Sequence, residues 1–165
     1  VKTLGAIVLA VGCVTACSWG DGPLQVGDGH MTVCQPQAAK NVDATLGNDV
    51  ITNTGKEAMV IKKVSTVEAI GLKLADAVIM PIHEQTLVGV AGSWPPKQAA
   101  GWGAQQPAVG YSVPPKSEMN LVVHLVRDQA VTEASLKALR VEYTIGHRSY
   151  QLETNTTLNL RPRCS

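Results

Sequence analysis

Leu139-Arg140-Val141-Glu142-Tyr143-Thr144-Ile145-Gly146-His147-Arg148-Ser149-Tyr150-Gln151-Leu152-Glu153 is the stretch whose pattern decides the fold. Leu139, Val141, Tyr143 and Ile145 alternate with Arg140, Glu142 and Thr144, the period of a strand with one buried face. Gly146-His147 then fits a two-residue turn, with Gly146 taking the positive φ that a Cβ resists. Tyr150 and Leu152, and further on Leu158 and Leu160, keep one parity against Gln151, Glu153 and Asn159. The pattern predicts a closing β-hairpin.

Upstream of the hairpin the same kind of signal recurs. Met119–Val126 is strongly apolar and is bounded by Pro114-Pro115 and Arg127-Asp128. Leu72–Ile82 precedes it, ended by Pro81 and the polar His83-Glu84-Gln85, and Thr86–Val90 reads as one more strand at an edge. Ala58–Ala69 is rich in β-branched residues, which favour strands. Asp49–Thr52 is a short strand cut by Asn53-Thr54-Gly55, whose Asn and Gly suit a tight turn. His30–Gln35 is the first. Only Thr132–Ala138 departs, predicting one helical turn with Thr132 as its N-cap. Lys62-Lys63 and Arg161 with Arg163 read as solvated strand edges, where charge discourages unwanted pairing. About seven to eight short strands without a long amphipathic helix predict an all-β, antiparallel two-sheet sandwich.

At the other end of the chain, Lys2 is followed by an apolar run from Leu4 to Val14 and then by Val14-Thr15-Ala16-Cys17. A charged start, a short apolar core and small residues before a cut site make a secretory signal peptide. The run is shorter than the roughly 20 residues of a membrane-spanning helix. Val14-Thr15-Ala16-Cys17 resembles a bacterial lipobox, and fits better than Ala10-Val11-Gly12-Cys13. The resemblance implies cleavage before Cys17, acylation of that residue (palmitate being one such chain) and anchoring on the extracytoplasmic face of a cell membrane. Val1 is expected to be a literal translation of an alternative bacterial start codon. Residues 1–16 are then a signal peptide and 17–29 a flexible spacer, rich in glycine, with Trp19 near the lipid or in solvent. The sandwich occupies 30–165.

The Asn53-Thr54-Gly55 turn, the prolines before a late apolar strand and the closing hairpin with a tyrosine look like immunoglobulin-like domains of bacterial envelope proteins. The Cys…Trp…Cys pattern of antibody domains is absent, so the likeness is architectural. The whole resembles small lipoproteins of Gram-positive bacteria.

Charge and cysteines narrow the function. Loss of Lys2 with the leader brings 14 bases and 13 acids to balance, and a neutral domain lacks the basic face a nucleic-acid partner requires. With Cys13 removed and Cys17 lipidated, Cys34 and Cys164 remain, and leftover thiols outside the cytoplasm pair. Closing so long a loop would stabilise by up to about 5 kcal/mol in the chain-entropy account.

The segment Gly89–Ser117 carries Trp94-Pro95-Pro96, Gly101-Trp102-Gly103, Gln105-Gln106-Pro107 and Tyr111. A loop of this length inside a compact domain is uncommon and is usually functional or disordered. Two readings stay open. Trp94 and Trp102 fold back to cap the sandwich, or they join Gln105, Gln106 and Tyr111 in a surface for an envelope protein or cell-wall glycan, where stacking and hydrogen bonds act together.

Two further classes are weaker. His30-Met31, Met80 with His83, and Met119 with His124 would suit Cu(I). Periplasmic copper chaperones also use a β-sandwich, but with a denser Met/His motif, and Met119 and His124 fall on opposite faces of a regular strand. G-x-S-x-G, S-x-x-K and H-E-x-x-H are absent, and Gly92-Ser93-Trp94 lacks a nucleophile elbow; only a hydrolase triad assembled from distant residues stays open. Asn155-Thr156-Thr157 is a chance glycosylation sequon. The expectation is a non-catalytic binding or assembly module of the cell envelope, with no cofactor and no metal.

Overall fold

The computed structural model describes residues 22–164 apart from His83, Gln98 and Ala100. The lipobox, Cys17 and Trp19 lie outside the described residues, as does His83 of the expected methionine–histidine set. The described residues contain thirteen strands and no helix, and no helix among them is long and apolar enough to cross a membrane. The chain is an all-β sandwich.

One side is a six-stranded sheet. β3 (Asp43–Asn53), β9 (Glu118–Arg127) and β5 (Leu72–Pro81) are its long members, with β7 (Gln106–Pro107) outside β5. The free edge of β3 carries β1 (Leu24–Val26) at one end and β6 (Gly89–Ala91) at the other. The opposite side has a four-stranded sheet, β12 (Arg148–Glu153), β11 (Ala138–Ile145), β4 (Met59–Val67) and β8 (Ser112–Val113). A three-stranded sheet completes it: β10 (Ala134–Leu136), β13 (Thr156–Arg161) and β2 (Met31–Pro36), with β2 and β13 parallel.

The main core lies between these layers. Leu46, Ile51, Ile79, Leu121 and Leu125 meet Met59, Ile61, Leu139, Val141 and Tyr143, with Leu136, Leu158 and Leu160 closing the third side. Alternation along β11 puts Leu139, Val141 and Tyr143 inside while Arg140 and Glu142 face out, and Arg140 meets Glu153 of β12. The turn after it has the expected positive φ, 54° at Gly146. Asn53 makes its predicted turn, its Oδ1 accepting from the Gly55 amide at 2.8 Å. Tyr143 stacks on Tyr150, and its hydroxyl accepts from the Leu24 amide.

Three expectations change. The spacer ends before residue 29, because Leu24 is 2% exposed and β1 pairs Leu24–Val26 with Ile51–Asn53. Residues 132–138 form no helical turn: Ala134 and Leu136 are buried about Ser135, and all three pair with β13. A short segment whose inward residues already have a strand partner gains more from that ladder than from one isolated helical turn. The second strand begins at Asp43, with a register shift between Leu46 and Asp49.

Cys34 and Cys164 form a disulfide, with 5.8 Å between their Cα atoms, closing a sequence separation of 130. It ties β2 to the end of the chain. Arg127 is 2% exposed and has carbonyls rather than a carboxylate around it: those of Ala38, Ala39, Asn41 and Val131, with Gln37 Oε1. Five oriented dipoles thus satisfy a planar guanidinium and hold the 37–41 loop against residue 131.

Candidate functional site

Along β9, Leu121, Val123 and Leu125 face the main core, so Asn120, Val122 and His124 face the outside of the six-stranded sheet. Across β5, Val78 and Met80 share that outer face, Val122 lying opposite Val78 and Asn120 opposite Met80. An apolar outer face must be covered. Val78, Met80 and Val122 form a second small cluster, against which Val88, Trp94 and Trp102 pack.

The cover is fastened at two polar points. Thr45, fully buried, donates its hydroxyl to the Ser93 carbonyl at 2.6 Å. Asn120, 1% exposed, accepts from the Val88 amide at 3.0 Å and donates to the carbonyls of Gly47 and Asp49 across the β3 irregularity. With those bonds made, a buried carboxamide costs little; with one missing it would carry the desolvation penalty of an unpaired group.

Within this cover the rings are ordered. Trp94 lies parallel to His124 with centroids 4.9 Å apart. Trp102 meets Trp94 edge-on, at 5.2 Å and 89°. His124 Nε2 is 2.8 Å from Asp43 Oδ1, so the carboxylate sets the orientation of the imidazole and through it the surface on which Trp94 rests. The Trp94–Pro95 peptide is cis, and Pro96 is buried beside it. Both tryptophans are half-buried. One part of each ring is structural and another part is open to solvent.

The expected binding residues separate in space. Trp94 and Trp102 come together. Gln105 is nearby, its Oε1 accepting from the Gly103 amide at 2.5 Å. Gln106 is exposed on β7, opposite Ile79. Tyr111 belongs elsewhere: its carbonyl accepts from Ile61 of the four-stranded sheet, its ring packs against the main core, and its hydroxyl lies 3.8 Å from Met119 sulfur. In the sequence His124 stands out only as a metal ligand beside Met119, and Asp43, Thr45 and Asn120 belong to no motif. A lone asparagine inside the apolar run 119–126 was the available signal for Asn120.

The metal and hydrolase arrangements can be placed in the same way. Met80 lies in the outer cluster and Met119 against the inner core, as the parity of β9 requires. Met31 is exposed, on β2. Among the described residues no three His, Cys, Asp or Glu side chains converge to hold a metal. The Asp43–His124 pair has a serine in its neighbourhood, but the Ser93 hydroxyl donates to Pro95 O at 3.3 Å and is not bonded to the imidazole. The geometry presents flat aromatic surface beside hydrogen-bonding side chains. No protein-family model matches the chain, and no curated protein matches it.

Proposed function

We propose that the protein is a surface lipoprotein, anchored at Cys17 on the extracytoplasmic face of the membrane, that works as a non-catalytic binding or assembly module of the cell envelope. The observation that carries this reading is the pair Trp94–Trp102, held at right angles on an outer sheet face and left half-exposed. Tryptophan supplies a large contact area with few rotamers to freeze, and such rings dominate binding energies when a partner desolvates them. Gln105 and Gln106 flank the shelf with carboxamides. The partner is an envelope protein or a cell-wall glycan, reached through this shelf rather than through Tyr111.

Support for export comes from the lipobox and from the Cys34–Cys164 bond, since disulfides persist in oxidising compartments. Replacing Trp102 by Ala tests the shelf, with binding read by co-sedimentation with purified cell-wall sacculi and by pull-down from envelope extract. Loss of binding with a melting temperature within a few degrees of wild type is the expected result. Unchanged binding removes the shelf from the proposal. Cys17→Ser tests the anchor: the variant leaves the membrane fraction if acylation holds the protein there, and continued pelleting with membranes refutes it.

A further inference from the structure

A sheet edge stays unpaired where something blocks a further strand: shortness, proline, a bulge or charge. Most edges of this fold carry such a block. β1, β6 and β10 run for three residues and β7 and β8 for two, with Pro107 inside β7 and Pro114 directly after β8. β2 is longer, but it ends in Pro36 and is crossed by the Cys34–Cys164 bond. Where β4 runs on past β8 it carries Lys62 and Lys63, and where β5 runs on beyond β7 it carries Lys73 and Asp76. β12 has none of these. Its six residues, Arg148-Ser149-Tyr150-Gln151-Leu152-Glu153, include no proline or glycine, and its register with β11 is unbroken. Charge sits only at its two ends.

Among the described residues β11 is the one strand bonded to β12. Just past the end of β12, the Thr154 amide donates to the Leu139 carbonyl at 2.8 Å. The even-numbered residues therefore turn their backbone groups to β11, and by the alternation of an antiparallel ladder Ser149, Gln151 and Glu153 turn theirs outward. β1 does not take them up: a cavity of about 420 Å³ lies between Leu24–Val26 and Gln151–Glu153. We propose that β12 pairs with β12 of a second copy of this chain, antiparallel about a two-fold axis at Gln151, joining two four-stranded sheets into one continuous sheet. A two-fold perpendicular to the sheet keeps each face on its own side, so each residue meets one of its own parity. Gln151 then falls opposite Gln151 of the partner subunit, and a carboxamide both donates and accepts. Ser149 falls opposite Glu153 of the partner subunit, hydroxyl to carboxylate. Tyr150 falls opposite Leu152 of the partner subunit, and both side chains are only half-buried in the single chain. No like charges are opposed, and each outward amide gains a carbonyl. A strand from another protein would have to supply this complement; a second copy already carries it, in an isologous interface. Pairing at β12 leaves the tryptophan shelf uncovered on the other sheet, so the dimer presents two shelves, which raises avidity for a repetitive partner.

Sedimentation equilibrium of the exported protein carrying Cys17→Ser, which keeps acyl chains out of the measurement, should reach twice the chain mass by about 0.1 mM. Gln151→Pro removes an outward amide and leaves the bonds to β11, so it should sediment as a monomer and, in dilute solution, melt within a few degrees of wild type. Gln151→Lys opposes two like charges at the axis and should weaken association at least about tenfold, less so in high salt. Gln151→Cys should cross-link two copies under mild oxidation, since residues facing each other in a hydrogen-bonded pair have Cα atoms about 5.5 Å apart, within reach of a disulfide. Ser149→Cys, four residues out of register with itself, should not. The proposal is overturned if the protein stays monomeric at that concentration, if the dimer persists in Gln151→Pro, or if the two cysteine variants cross-link alike. Should Gln151→Pro fail to fold, the cysteine pair decides by itself.

Discussion

The two faces of the six-stranded sheet are covered by different means. The inner face meets other strands across a core that is almost all aliphatic, with Tyr143 of β11 the one fully buried aromatic residue among the described residues. On the outer face the buried apolar cluster is Val78, Met80 and Val122, and what covers it is a loop bearing Trp94, Trp102 and Val88. A chain with no phenylalanine and only three tryptophans has placed two of them outside its main core. Interlocked strands need shape-matched aliphatic residues on both sides, whereas a loop without a ladder of its own needs a few large rings to hold it down. The difference separates two tasks: the inner face makes the fold, and the outer face is left partly exposed.

The largest expected effect tests the inner side. Replacing Cys34 and Cys164 by Ser removes the constraint on a sequence separation of 130 and should cost about 2–5 kcal/mol, read by urea unfolding. Since the bond lies among β2 and the chain end, the tryptophan shelf should keep its folded emission until the global transition. Early loss of that emission would show that the two faces are not separable.

Val123 and Val122 offer a matched pair next in size. They are adjacent on β9, both fully buried, and belong to opposite faces. Val123→Ala should cost about 2–3 kcal/mol, because strands on both sides hold the cavity open. Val122→Ala should cost about 1–1.5 kcal/mol, near the transfer value of the lost methyls, because a loop can settle into the space. Equal losses would make the outer cluster a second rigid core. Trp102→Ala comes next at about 1–2 kcal/mol, below the 3–5 kcal/mol of a fully buried tryptophan, since part of the ring is already exposed.

Much of the inner face was legible in the sequence, and the reasons are local. Leu139, Val141 and Tyr143 sit on an uninterrupted period of two, and Gly146 marks the turn that follows. The start of β3 was hidden because Ala44 and Leu46 have even parity and Ile51 odd. The register shift between Leu46 and Asp49 reverses the alternation, and Gly47-Asn48 imitates a turn. Ala134–Leu136 imitates the start of a helix in the sequence, since its strand partner, β13, lies at residues 158–160. The outer face was legible only as an odd composition. Which side of the sheet receives Trp94 is fixed by the Thr45 hydroxyl donating to the Ser93 carbonyl and the Val88 amide donating to Asn120 Oδ1; none of these four residues marks a motif. Tyr111 lies in the same sequence segment as the tryptophans but in a different layer, because segment membership says nothing about which sheet a residue joins.

The smallest expected effect bears most directly on whether the outer cover is a separate unit. Thr45→Val keeps the shape of the side chain and removes one hydroxyl, which donates to the Ser93 carbonyl, one residue before Trp94. The inner face is untouched, because Ala44 and Leu46 on either side point into the main core. The global cost should be about 1 kcal/mol, the net worth of one hydrogen bond, and a fall in melting temperature of about 2–4 °C. The local consequence should be larger. With one of two fastenings gone, Trp94 and Trp102 should become more accessible to acrylamide quenching, and amides 88–104 should exchange faster while those of β9 and β11 keep their protection. Faster exchange confined to the cover would establish a low-stability unit riding on a rigid sheet, the arrangement a recognition surface requires. Uniform faster exchange across both faces would mean that cover and core open together, and the contrast between them would fail.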